Sequence, residues 1–157
     1  MDIRLYREVD RPQLVAFWKK AFPDDPPHNE PEKVIDAKLK VDDLIFVATE
    51  AGQIIAAAMA GYDGHRGWLY SVAVDQSKRR NGIGSKLVRH IVRALHDRGC
   101  VKINLQVRSA NAALVSFYGS LGFMVEDRIS MGLLRIRDAQ PPVAADAPQA
   151  ARRTPSR

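Results

Sequence analysis

A single cysteine, Cys100, in 157 residues excludes an internal disulfide. The four histidines, His28, His65, His90 and His96, show no ligand spacing with it, so no metal site is expected. No apolar run approaches the roughly 20 residues that a membrane helix needs, and Met1-Asp2-Ile3-Arg4 lacks the apolar core of a signal peptide. A soluble, cytoplasmic chain is expected. Internal repeats are absent. So is any stripe of Lys and Arg interleaved with aromatics, which makes nucleic acid an unpromising partner despite a net charge of +6. The tail from Ala139 carries Arg152, Arg153 and Arg157 against Asp146 alone, which leaves about +4 for the rest, a mild excess that suits an acidic ligand such as a phosphorylated cofactor.

What is present is ordinary for one globular domain, with 46% hydrophobic and 27% charged residues. Ile3 and Leu5 flank Arg4 as in a short strand over Ile3–Tyr6. Asp10 stands as the cap of a helix starting at Arg11-Pro12, whose apolar face is Leu14, Val15, Phe17, Trp18 and Phe22. Pro23, Pro26, Pro27 and Pro31 end it and enforce a loop. A second helix over Glu32–Lys40 has few apolar positions and is expected on the surface. Leu44–Thr49 and Gln53–Ala60, joined by Ala51-Gly52, read as a hairpin. A seven-residue connection, Gly61–Gly67, leads into a strand at Trp68–Val74. The strongest helical period follows from Ile83, with Leu87, Val88, Ile91, Val92 and Leu95 on one face and Gly99 beyond its end. Val101–Val107 alternates strictly, so strand, helix and strand predict two parallel neighbours. Asn111 caps a helix over Ala112–Leu121. Two closing strands, Phe123–Arg128 and Met131–Arg137, are expected to complete a mixed, mostly antiparallel sheet of six to seven strands with helices on both faces. The domain thus spans 1–138, and 139–157 is a Pro, Ala and Arg tail expected to be disordered.

Arg79 to Ser85 reads Arg-Arg-Asn-Gly-Ile-Gly-Ser and joins the Trp68–Val74 strand to the long helix. Gly82 and Gly84 permit positive φ and close approach of an anion to the main chain, while the helix start offers unpaired N–H groups. It is not a P-loop, which needs Gly-Lys where Gly84-Ser85-Lys86 stands, nor a dinucleotide fingerprint, whose third glycine is Leu87 here.

The pattern Arg79-x-x-Gly82-x-Gly84 resembles the pyrophosphate loop of the Gcn5-related N-acetyltransferases. The likeness runs over about Ile3–Arg137. It also takes in the strand ending Val72-Ala73-Val74, the strand ending Val107-Arg108, and Asn111 through Tyr118 to Leu121-Gly122-Phe123. The resemblance implies an α/β fold in which two strands splay apart around acetyl-CoA. It implies that main-chain groups at Val72, Ala73 and Val74 meet the pantetheine arm and thioester, and that Arg79, Arg80, Asn81, Gly82, Ile83, Gly84 and Ser85 hold the pyrophosphate. Asn111 resembles an asparagine that contacts the pantetheine, and it also reads as a plain helix cap. Tyr118 matches a tyrosine used as general acid, and equally suits core packing. Family habit points to a homodimer.

The general base is not legible. Subgroup members that acetylate ribosomal N-termini often carry Leu-Glu-Val-Arg in this strand, where Leu105-Gln106-Val107-Arg108 stands, and a carboxamide takes no proton. Asp63, His65 or a water chain are left, with Asp63 and His65 in a loop that reads equally as a solvated turn. The expected activity is transfer of an acetyl group from acetyl-CoA to a primary amine. An acyl-CoA-binding sensor without turnover and a basic ribosome-associated module are the alternatives.

Overall fold

The computed structural model describes residues 1–134, of which 1–125 form one unit and 126–134 belong to a second. In the first unit, strands β1 (Asp2–Leu5), β2 (Ile45–Glu50), β3 (Gln53–Tyr62), β4 (Gly67–Val74) and β5 (Ile103–Asn104) lie side by side in chain order. All neighbours are antiparallel except β4 and β5, which are parallel as the strand, helix, strand pattern predicts. Helices α1 (Arg11–Ala21), α2 (Pro31–Leu39), α3 (Ile83–His96) and α4 (Ala112–Gly119) complete the unit.

Strand alternation sorts side chains into two cores. Phe46 and Ala48 of β2 face Leu87, Val88, Ile91 and Leu95 of α3, whereas Ile45 and Val47 face Leu14 and Trp18 of α1. The alanines of β3, which weaken its strand propensity, have a packing reason. Ala56, Ala57, Ala58 and Ala60 are wholly buried, and small side chains let helices approach both faces of the central strand. The second helix is less superficial than its composition suggests, because Ile35 is fully buried against the α1 core.

Two expectations for the far edge are corrected. β5 is two residues long rather than spanning Val101–Val107, since Val101 is exposed and the chain leaves β4 after Asn104. Closing strands at Phe123–Arg128 and from Met131 are not formed within 123–134. Alternation there, as in Ile129, Met131 and Leu133, makes a strand only where a neighbour supplies ladder bonds. Arg135 to Arg137 and the tail from 139 lie outside the described residues. Among the described residues, no helix is long and apolar enough to cross a membrane, and no cluster of His, Cys, Asp or Glu is suited to a metal.

Candidate active site

β4 runs for eight residues but pairs with β5 only at Gly67 with Ile103 and Trp68 with Asn104. From Leu69 to Val74 its side toward β5 carries no ladder, so main-chain groups there have no strand to pair with. The opposite side keeps its antiparallel ladder to β3, with one irregularity. Met59 pairs with Tyr70 and Ala57 with Ala73, so two residues of β4, Ser71 and Val72, stand against Ala58 alone. This is a β-bulge. Ser71 takes φ +48 within it, a left-handed conformation that non-glycine residues rarely hold. The bulge swaps faces: Leu69 packs with the α3 core and Ala73 with the α1 core, while Val72 and Val74 turn to the α3 side.

Beyond Val74 the chain is braced at each step. Asp75 accepts from the Ser77 amide at 2.9 Å and its hydroxyl at 2.6 Å, which holds its carboxyl below the usual range. Lys78 pairs with Glu50. Arg79 Nε donates to the Val74 carbonyl at 3.3 Å, tying the loop to the end of β4. Arg80 and Gly82 both have positive φ, +64 and +71, so the backbone curls into a concavity of the kind that turns amides toward an anion. Gly82 is the N-cap of α3 and offers no capping side chain, which leaves the first-turn amides of Ile83, Gly84 and Ser85 open. A Cβ on Gly82 would meet nothing within 4 Å, whereas one on Gly84 would lie 3.3 Å from Phe117 Cζ and 3.4 Å from Val74 Cγ2. Gly84 is where α4, α3 and β4 converge, and Gly82 borders free space. The residues therefore fit a pyrophosphate: amides, curl and clearance coincide beside Arg79 and Arg80.

Asn111 caps α4, its side-chain oxygen accepting from the Leu114 amide at 3.1 Å. Tyr118 is 6% exposed, edge-on to Phe117 at 5.0 Å and Phe123 at 5.6 Å. Burial pushes its phenol up to about 12.

On the α1 side, a cavity of about 190 Å³ is lined by Trp18, Phe22, Asp25, Glu30, Val34 and Ser71, among others. It touches the bulge directly through Ser71. The proline-rich connection that ends α1 forms its outer wall, and Lys19 holds Glu30 at 2.8 Å. Another hollow, of about 250 Å³, is lined by Val88, Arg89, Val92, Arg93, Leu121 and Phe123, with no acid, base or nucleophile apart from arginines.

Neither Asp63 nor His65 lines the cavity at Ser71. They occupy the turn before Gly67, four strand residues ahead of Ser71, about 13 Å along the chain. Asp63 accepts from the Arg66 amide at 2.7 Å and the His65 amide at 2.8 Å. These bonds hold its carboxyl below the usual range, so it fixes the hairpin turn. Conversely, Trp18 and Ser71 escaped the sequence reading. Trp18 was visible only as one apolar position of α1, and a serine inside a strand carries no mark of positive φ.

The model of the "Acetyltransferase (GNAT) family" matches residues 11–123. An acetyltransferase of Sodalis glossinidius is 39% identical over 132 residues, covering 82% of this chain and 91% of that protein. One of Pectobacterium atrosepticum is 37% identical, covering 89% and 99%. Among solved structures, an Escherichia coli N-acetyltransferase of a ribosomal-protein alanine has a TM-score of 0.68 at 29% identity, covering 77% of this chain and 76% of that one. An aminoglycoside N-acetyltransferase in complex with CoA reaches 0.71 at 20% identity over 86% and 95%. With the splayed sheet, the glycine loop and these relatives in agreement, the chain belongs to the GNAT acetyltransferase family.

Proposed function

We propose that the protein moves an acetyl group from acetyl-CoA directly to a primary amine seated in the cavity beside Ser71, within one ternary complex. The observation that carries this reading is the parting of β4 from β5 after Trp68, next to an uncapped α3 N-terminus. Acetyl-CoA, the family's co-substrate, supplies the acyl group as an activated thioester. The amides from Arg80 to Ser85 would hold its pyrophosphate, with Arg79 and Arg80 adding charge. Main-chain groups from Val72 to Val74 that lack a β5 ladder would orient the arm and polarise the thioester carbonyl, as an oxyanion hole does. Asn111, whose side-chain oxygen caps α4, would offer its side-chain amide to the pantetheine arm.

An amine attacks only when neutral, and the leaving sulfur needs a proton. Tyr118 is assigned the second task, because a buried phenol stays protonated at neutral pH. Deprotonation is assigned to water in the cavity, with Asp25 at its wall attracting the incoming cation while Glu30 is held by Lys19. The two solved relatives act on an aminoglycoside and on a ribosomal-protein alanine. Only their shared acceptor chemistry, an amine, is carried over.

Calorimetric titration with acetyl-CoA followed by a thiol-release screen across amines tests the reading. Saturable binding together with turnover on some amine is expected. Binding without release for any amine would instead mark a sensor. The paired change Asp63→Ala with His65→Ala should leave kcat/KM within about twofold, as exposed surface changes usually do; a larger loss would return the hairpin turn to the site.

A further inference from the structure

We propose that Trp18 is a positioning residue, whose indole N–H holds β4 in the bulged form that the acyl site needs. The inference rests on the acyl group lying against β4, as proposed above. Trp18 Nε1 donates to the Ser71 carbonyl at 3.0 Å, across 53 residues of sequence. Ser71 is the residue at φ +48, and it has no side-chain reason to be there. Glycine would take that conformation freely, whereas serine resists it. Something must hold it, and the Trp18 contact is a hydrogen bond from a rigid, buried ring that is 2% exposed.

The consequence reaches the main chain downstream. Without the extra residue, Ala73 would share a face with Leu69, and Val72 and Val74 would face α1. With it, Ala73 packs against the α1 core and Val72 and Val74 against the α3 core. The peptide groups between Ser71 and Val74 turn with them, and these lie on the stretch of β4 that β5 leaves unpaired. Trp18 and Ser71 also line the 190 Å³ cavity. One bonded pair therefore forms part of the amine cavity and sets the backbone of the acyl site, so the acceptor side is coupled to the acyl side through the indole.

A buried indole N–H needs some acceptor in any fold, and a merely structural bond is the competing account. The two accounts differ in which ligand feels its loss. Trp18→Phe keeps an apolar ring and removes the donor. Its affinity for acetyl-CoA should fall about threefold to tenfold, the value of one net hydrogen bond. Affinity for the adenosine phosphate fragment of CoA, which lacks the pantetheine arm and would use only the α3 loop, should stay within about twofold. Adding Ser71→Gly to Trp18→Phe should restore most of the acetyl-CoA affinity, because glycine accepts the bulge without support.

Equal weakening toward both ligands, or no recovery with glycine, would overturn the proposal while leaving the acyl-CoA reading intact. Failure of the unaltered protein to bind acetyl-CoA would overturn that reading and the proposal with it. Should Trp18→Phe not fold, Ser71→Val poses the same question with Trp18 in place. A β-branched side chain at positive φ should give the same selective loss, and its absence would refute the role.

Discussion

Replacing Tyr118 by phenylalanine should lower kcat by about 10², the lower end of the 10² to 10⁴ typical of a general acid, with acetyl-CoA affinity unchanged. The ring is kept, so the edge-on contacts with Phe117 and Phe123 survive. Only the hydroxyl is lost. The lower end is expected because burial pushes the phenol up to about 12, whereas an ordinary thiol lies near 8.5. Full proton transfer to a free thiolate would run uphill. The Tyr118 proton then passes to sulfur against a gradient as charge develops, which is worth less than a matched proton transfer. An unchanged kcat would return Tyr118 to a packing role.

The same burial has a signature in stability. The folded value lies above the unfolded one near 10, so the native state binds this proton more tightly. That contribution is complete below about pH 10 and is lost as pH rises toward 12. Tyr118→Phe should show a shallower alkaline decline than the wild type, with Tyr6 and Tyr70, also pushed up, carrying the remainder. Any alkaline limb of the wild-type rate owed to Tyr118 should likewise lie nearer 12 than 10.

Much of the fold is written in local periodicities. The α3 stripe of Leu87, Val88, Ile91 and Leu95 is buried as its spacing requires, and the parallel pairing of β4 with β5 follows from the length between them. The glycine loop was legible for the same reason, since Gly82 and Gly84 sit where a helix begins. What was not legible depends on pairing partners distant in sequence. Strict alternation in Val101–Val107 says that the segment suits a strand; it does not say that β4 departs after Trp68. Alternation likewise cannot reveal the bulge, because the Ser71 carbonyl finds its donor on a tryptophan 53 residues earlier. Asp63 and His65 drew attention as titratable groups in a glycine-rich loop. The Asp63 carboxylate is engaged by the backbone of its own turn, a structural use that the sequence does not display.

Gly82→Val should weaken acetyl-CoA binding about 100-fold or more, with a modest change in thermal stability. Two physical causes act together. Gly82 sits at φ +71, where a β-branched residue is strongly disfavoured, so the curl through Arg80 and Gly82 would open and turn the amides away. Its Cβ would also project into space where nothing lies within 4 Å, the space in which a phosphate would approach the main chain. Losing about two charge-assisted hydrogen bonds at 1.5–3 kcal/mol each corresponds to at least 100-fold in affinity. Gly82→Asn separates the causes. Asparagine tolerates the left-handed region, so it retains the curl while still placing a side chain in the clearance, and its loss should be nearer tenfold. Calorimetric titration of both variants checks this, with the adenosine phosphate fragment titrated alongside. That fragment should lose affinity in parallel with acetyl-CoA for both variants, unlike the selective loss expected for Trp18→Phe. If Gly82→Val bound acetyl-CoA as the wild type does, the pyrophosphate would have to lie elsewhere than on the α3 N-terminus.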